Sequence, residues 1–495
     1  MDSFASEELP LNKKLKKRNQ EAADLSELAL FSPVEKPFRY VNEIFYEKTY
    51  PVGGVQPYGP LKFTIQPGTA NNFIDLHNVQ LFLTLELQKD KTNIGTTVVN
   101  DVVPVNQIFH SAWNHVQVDL NGVTVTDQTR GYPYKAYLQT LLSYNTRWKE
   151  STGKAIGWYN YTAPRDEKSN YKNSANSKLP TTGMLTQAHF TDFFEGTQVF
   201  DNLVASDKWY SPALETEIET WNKKGHQREF IGRLLCDVFK TERYLPPGIK
   251  VEITLHMGRP EFYLLTYDDD ARNKNYNLAV KEAFIEYPTV QLQTSYAHHI
   301  ETRLQKAPFL FPIQNIKLQT ITMKSGAKAV NLGHSLFPDL PKRVYIAHIR
   351  DEAYAGEYKL NPFFFRHEKV TGLQLWAGGK LYPPEKISNS YSGANDNYGE
   401  KETFNRLLYA LGMRGGNESI GLRDQAGGNH IYAFDLTQDE NHWMGHYNQD
   451  KTGELQFQLE YKTPLAHATK ILIFAEFDSH IKIHGNGSIE APFNH

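Results

Sequence analysis

The stretch V-Q-V-D-L-N-G, Val116 to Gly122, alternates apolar and polar side chains and then offers a two-residue turn. The alternation puts Val116, Val118 and Leu120 on one face of a strand. Asn121-Gly122 supplies the positive-φ pair of a tight hairpin, and Val123 and Val125 begin the return. A second stretch, L-Q-L-W-A-G-G from Leu373 to Gly379, follows the same plan, with Leu381 beginning its return. Prolines and a helical stretch come after each hairpin. In the first, Tyr134, Tyr137, Leu138, Leu141 and Leu142 share a helical face behind Pro133. In the second, Phe404, Leu407, Leu408 and Leu411 do so, and Gly412 is the stop. L-C-D-V-F (Leu235 to Phe239) ahead of a strand at Ile249, and A-F-D-L (Ala433 to Leu436) ahead of one at Leu455, extend the correspondence. One β-rich plan is used twice.

Outward from these hairpins the period-2 pattern continues. Leu61, Phe63 and Ile65, then Val79 through Leu87, then Val251 through Met257 read as half-buried strands, and Phe284 to Leu292 as the last strand of the first half. In the second half, Ile316, Leu318, Ile321 and Met323 read as one strand with a bulge. Val344, Ile346 and Ile349 mark the next, and Leu455 to Tyr461 and Ile471 to Phe477 close the set. The domain plan is an N-terminal arm over 1–40, a first β-domain over 41–292, a linker over 293–306, a second β-domain over 307–485 and a tail over 486–495. Long loops fall at about 145–228 and 385–402. Both helices are expected to brace the ends of their domains.

At 495 residues either half can bury a full core. Few helices separate the strands, which excludes a parallel α/β sheet. Jelly rolls and related sandwiches remain, and the expected fold class is all-β: two tandem eight-stranded jelly rolls with short helices and long loops. Aromatic residues make up 13% of the chain, suiting both pleated sheets and large interfaces. The single cysteine, Cys236, excludes an intrachain disulfide and points to a reducing compartment. No apolar run follows Met1, so no secretory signal is expected. No run of about 20 apolar residues marks a membrane span. The net charge of -3 is no polycation. The exception is local: Lys13, Lys14, Lys16, Lys17 and Arg18 crowd the arm. Such a cluster can neutralise phosphates or serve nuclear import.

N-H-V-Q-V-D-L-N-G-V-T-V (Asn114 to Val125), with Y-P-Y-K-A-Y-L-Q-T-L-L-S-Y-N (Tyr132 to Asn145), resembles the hallmark region of one capsid family. So does N-P-F-F-F-R-H-E-K-V-T-G-L-Q-L-W-A-G-G-K-L-Y-P (Asn361 to Pro383). The family is the double jelly-roll, hexon-like major capsid proteins of Maverick/Polinton elements and adinto-like viruses. The resemblance covers most of residues 40 to 485. It implies a homotrimeric capsomer with its rolls upright in an icosahedral shell around double-stranded DNA. Neighbouring capsomers and penton or minor capsid proteins are the implied partners, with the loops forming modest outer towers. It also implies residence in the virion after assembly in the host nucleus or cytoplasm, with the basic arm beneath the shell in reach of packaged DNA.

Reaction chemistry finds little support. His298 and His299 are adjacent and, on a strand, would point to opposite faces. His442 and His446 have i, i+4 spacing without the glutamate of a zinc protease motif. Asp268 to Asp270 read as a solvated turn, although oxygen ligands suit calcium. His480 and His484 lack a third ligand. No H-x-H pair of the cupins, no phosphate-binding glycine loop and no nucleophile elbow occur. Cys236 lies in an apolar segment and reads as a core thiol. No catalytic residue, metal ligand or cofactor is assigned. The rival is a two-domain β-sandwich binding glycan or protein without catalysis. A weaker rival is a single-roll vertex or minor capsid protein.

Overall fold

In the computed structural model the described residues are 40–66, 68–69, 71–95, 97, 99, 102–126, 131–159, 220–223, 225–266, 275–332, 336–389, 401–412, 419–421, 425, 428–437 and 451–491. The first half contributes eight principal strands: β1 (Val41–Thr49), β2 (Leu61–Ile65), β3 (Gln80–Lys89), β4 (Trp113–Leu120), β5 (Val123–Thr124), β6 (Gln227–Gly232), β7 (Val251–Met257) and β8 (Tyr276–Leu292). The second half contributes β9 (Phe309–Met323), β10 (Ala329–Leu332), β11 (Arg343–Arg350), β12 (Val370–Ala377), β13 (Lys380–Ser388), β14 (Ile431–Asp435), β15 (Leu455–Tyr461) and β16 (Thr469–Ile483). Three longer helices are α1 (Tyr132–Ser143), α2 (Thr294–Leu304) and α3 (Lys401–Ala410).

The strand orders of the two halves are the same. In the first, β1-β8-β3-β6 forms one sheet and β2-β7-β4-β5 the other. In the second, β9-β16-β11-β14 and β10-β15-β12-β13 repeat them, each strand number raised by eight. Every pairing between these strands is antiparallel. Each half is thus a jelly roll, two four-stranded sheets face to face. The duplicated hairpins occupy equivalent places between β4 and β5 and between β12 and β13. Asn121 and Gly122 close the first with φ of 46° and 81°, Gly378 and Gly379 the second with 58° and 78°.

Alternation places the core. Leu61, Phe63 and Ile65 are buried from β2, and Val251, Ile253 and Leu255 from β7, where Lys62 and Glu252 face water in an ion pair of 3.0 Å. Leu455, Phe457, Leu459 and Tyr461 do the same in the second roll.

Four expectations need correction. β9 has no bulge: it pairs with β16 in one unbroken register from Phe309 to Met323. Its apolar residues change parity because the covering changes. Ile316 and Leu318 pack into the cluster shared with the first roll, Ile321 and Met323 against the core of the second. The L-C-D-V-F segment is not the counterpart of A-F-D-L. It runs into a 3-10 turn (Asp237–Lys240), while the structural equivalent of β14 is β6. The segment between the halves carries a helix, α2, which puts Ala297 and Ile300 against Val290, Leu292 and Phe73. Finally, α1 does not cap a barrel end. It lies between the rolls, all of it buried except Ser143.

Candidate assembly surfaces

The two rolls meet along a seam built on the outer face of the β9-β16-β11-β14 sheet. Alternate residues of β11 part company here. Val344 and Ile346 point into the second roll's core, while Tyr345, Ala347 and Ile349 join the first roll's cluster with Leu472 and Phe474 of β16. A sheet buried on both faces reads as a near-continuous apolar run, and V-Y-I-A-H-I (Val344 to Ile349) is that run.

From the first roll, α1 fills the seam. Its apolar face and its polar side are both covered, Lys135, Gln139 and Thr140 being buried along with the aromatic residues. Tyr137 stacks on Phe363 at 4.3 Å and donates its hydroxyl to Asn429 Oδ1 at 3.0 Å. Tyr134 stacks on Tyr354 at 5.1 Å. Gly131, just before the helix, passes so close to β9 that a Cβ there would sit 2.7 Å from Leu318 Cδ2. Just after it, Lys149 Nζ donates to Leu141 O at 2.7 Å and, across the seam, to Ser419 O at 2.6 Å.

A buried polar node locks the register of the rolls. Asp237, 2% exposed, accepts the backbone N–H of Ile316 at 3.1 Å and holds Lys135 at 3.5 Å and Lys240 at 3.9 Å. Lys240 donates to Gln314 at 3.4 Å, Gln314 to Glu476 at 3.4 Å, and Glu476 binds Arg343. Burial of one partner without the other would strand a charge, so such a node specifies one docking geometry.

Among the described residues, no other element packs on the equivalent face of the first roll, on β1-β8-β3-β6. Phe284 of β8 stands opposite Phe82 of β3, and Phe82 opposite Ile231 of β6. The Phe82 and Phe284 rings stack at 4.5 Å, and Tyr50 reaches Phe284 at 5.9 Å. Ile231 is 42% exposed, Tyr50 65%, and Tyr46 on the edge strand β1 67%. Lys48 and Glu286, 3.6 Å apart, border the patch.

Of the residues weighed for chemistry, those among the described residues are not brought together. Lys13, Lys14, Lys16, Lys17 and Arg18 lie outside the described residues, as do Asp268 to Asp270, His442 and His446. His298 and His299 sit on α2, a helix and not a strand, where His298 faces Glu301 at 3.7 Å in solvent. His484 meets Glu490 at 2.9 Å on the short strand Ile489–Glu490, which pairs with β16. Burial pushes the Cys236 thiol up to about 12, so it is no nucleophile near neutral pH. Among the described residues no group of three or more His, Cys, Asp or Glu could hold a metal ion, and no helix is long and apolar enough to cross a membrane. The seam residues Asp237, Tyr137 and Lys149 carry no sequence signal of their role beyond the place of Tyr137 on the apolar face of α1.

No protein-family model matches the chain. An uncharacterized protein of Caenorhabditis elegans, F54H12.2, is 20% identical over 438 residues, covering 86% of this chain and 91% of that one. Among solved structures, VP54 of the virus PBCV-1, fitted into a reconstruction of the virophage Sputnik, aligns with a TM-score of 0.55 at 10% identity. It covers 94% of this chain and all of its own. The Sputnik virophage structure itself gives 0.55 at 10% identity, covering 94% and 92%. The PBCV-1 capsid gives 0.53 at 11%, covering 93% and 98%. These neighbours are viral double jelly-roll major capsid proteins. The chain has their fold, two tandem jelly rolls over nearly its whole length.

Proposed function

We propose that this chain is a major capsid protein that associates as homotrimers and tiles into an icosahedral shell around double-stranded DNA. The observation that carries the reading is the seam. Two like rolls are fixed side by side by a buried helix and a buried charge node, so three chains present six similar lobes. Similarity to viral capsid proteins over both rolls supports it. Its work is interface burial, not catalysis, in contact with neighbouring capsomers and with penton or minor capsid proteins. The organisation is an arm over 1–40, rolls over 41–292 and 307–485 joined through 293–306, and a tail over 486–495. Lys13, Lys14, Lys16, Lys17 and Arg18 face packaged DNA or direct nuclear import. Residence is in the virion. No observation favours a glycan- or protein-binding module.

Light scattering of the purified chain tests this. A particle of three times 56.8 kDa, or larger shells, is expected. A monomer that stays monomeric up to high concentration and retains a sugar or peptide would overturn it. For the arm, deletion of residues 1–20 should reduce nuclear entry or genome content, and no change in either dismisses its role.

A further inference from the structure

Three buried imidazoles gather in the second roll. His348 of β11, His430 just before β14 and His367 of the crossing segment N-P-F-F-F-R-H-E-K (Asn361 to Lys369) are all 9% exposed or less. Their rings form a chain with two tyrosines. His367 lies 6.1 Å from His430, His430 4.7 Å from Tyr432, Tyr432 6.0 Å from His348, and His348 5.8 Å from Tyr461 of β15. The backbone of the crossing segment ties it to both neighbours. Phe365 N donates to Gly428 O at 2.6 Å, His430 N to Phe365 O at 3.2 Å, and Arg366 N to His348 O at 2.9 Å. The segment brings its own charges: Arg366, its partner Glu368 at 2.9 Å, and Lys369, whose N–H donates to His367 Nδ1 at 3.0 Å. On the β16 side Ile471 stands opposite His348, and the neighbouring Lys470 is held by Asp351 at 3.2 Å. The same segment also builds the seam. Phe363 stacks on Tyr137 of α1 at 4.3 Å, and Phe365 meets it edge-on at 5.8 Å. Asn429, beside His430, accepts the Tyr137 hydroxyl.

We infer that the 361–369 segment is an acid-released latch: protonation of the imidazoles behind it frees it from the second roll and opens the seam along α1, while both rolls stay folded. An imidazolium in this place would be a buried charge beside the Arg366 guanidinium, and the segment supplies one carboxylate against two cations. Burial, and then the proximity of His430 and His367, lowers His348 to about 3. A released imidazole takes a proton below about pH 6.5. The closed latch is therefore fully favoured above that pH and loses ground as the pH falls. The segment yields before the strand does. β11 is paired along its length with both β14 and β16, whereas the segment is tied by isolated bridges at Phe365 and Arg366. Its departure takes Phe363 and Phe365 off Tyr137. The inference stands on the seam alone and not on the capsid reading. In an assembled shell the same release would loosen each chain from within in any acidified compartment.

Hydrogen–deuterium exchange of the full-length chain at pH 7.5 and 5.5, corrected for the intrinsic rate at each pH, tests it. At pH 5.5 His348 alone should raise the open population about tenfold, one pH unit below the value of a free imidazole. Amides of residues 131–143 and 361–369 should therefore exchange together, at least about tenfold faster than at pH 7.5, while those of β7 and β15 stay protected. Far-UV circular dichroism should be the same at both pH values. His348→Gln should remove about tenfold of the acceleration, and His367→Gln should also reduce it. A single rate in acid for the latch, α1, β7 and β15 means that the whole chain unfolds, and overturns the inference. So does seam exchange that is equal at the two pH values, or acceleration undiminished in both variants. If neither variant folds, the wild-type rates alone decide.

Discussion

Mild acid should weaken this fold, because two imidazoles sit where they cannot take a proton. His348 lies fully buried in the second roll, its Nε2 3.1 Å from the Tyr461 hydroxyl and its ring edge-on to Tyr432. Burial, and then the proximity of His430 and His367, lowers its pKa from 6.5 to about 3. His110 is buried beside Phe109, with Nδ1 2.8 Å from the Tyr132 hydroxyl, and burial lowers it to about 3 as well. Both are neutral in the folded chain, whereas the unfolded chain takes up protons below about pH 6.5. The unfolded state binds more protons between about pH 6.5 and 3. The stability is therefore fully present above 6.5 and falls as pH drops through that window. Each histidine costs about 1.4 kcal/mol per pH unit, so from pH 6.5 to 5.0 the two cost about 4 kcal/mol together. Urea denaturation at pH 7.5, 6.0 and 5.0 measures this. His348→Gln and His110→Gln should each be less stable than wild type at pH 7.5, yet each should show about 2 kcal/mol less decline by pH 5.0. If both variants decline as steeply as the wild type, the reasoning is wrong.

The remaining predictions concern the seam. Asp237→Ala removes the acceptor of the Ile316 N–H and strands Lys135 and should cost about 3–5 kcal/mol, with calorimetry separating the melting of the two rolls. Tyr137→Phe keeps the ring stack on Phe363 and leaves Asn429 Oδ1 without its donor, which should cost about 1 kcal/mol in denaturant titration. Gly428→Ala should destabilise by about 2 kcal/mol or more, because φ is 110° and the new methyl overlaps the Phe364 ring; an unchanged melting temperature would contradict the packing described.

What was legible in the sequence follows from what one face of a strand tells about the other. β2, β7 and β15 have one wet face, so their alternation shows at once. β11 has none, and its run of apolar residues marks burial without saying that a second roll covers it. β6 (Q-R-E-F-I-G) escaped notice because it buries only Phe230 deeply and leaves Ile231 open, so no pattern of alternation survives. The parity change in β9 looked like a bulge, since sequence records which residues are apolar and not which body they touch. The paired hairpins were readable because a tight turn constrains backbone conformation locally, through Asn121-Gly122 and Gly378-Gly379. The helix face of α1 was readable too. Its position between the rolls was not, because Tyr134 and Tyr137 meet Tyr354 and Phe363 more than 200 residues away along the chain. The docking node around Asp237 depends on the same long-range meeting.

Cryo-electron microscopy of the self-assembled chain tests the central claim most directly. The account predicts a closed shell of six-lobed capsomers, each of three chains, with β1–β8 and β9–β16 alternating around the ring. Particles in which each chain contributes one lobe, or a chain that stays single at every concentration, would contradict it.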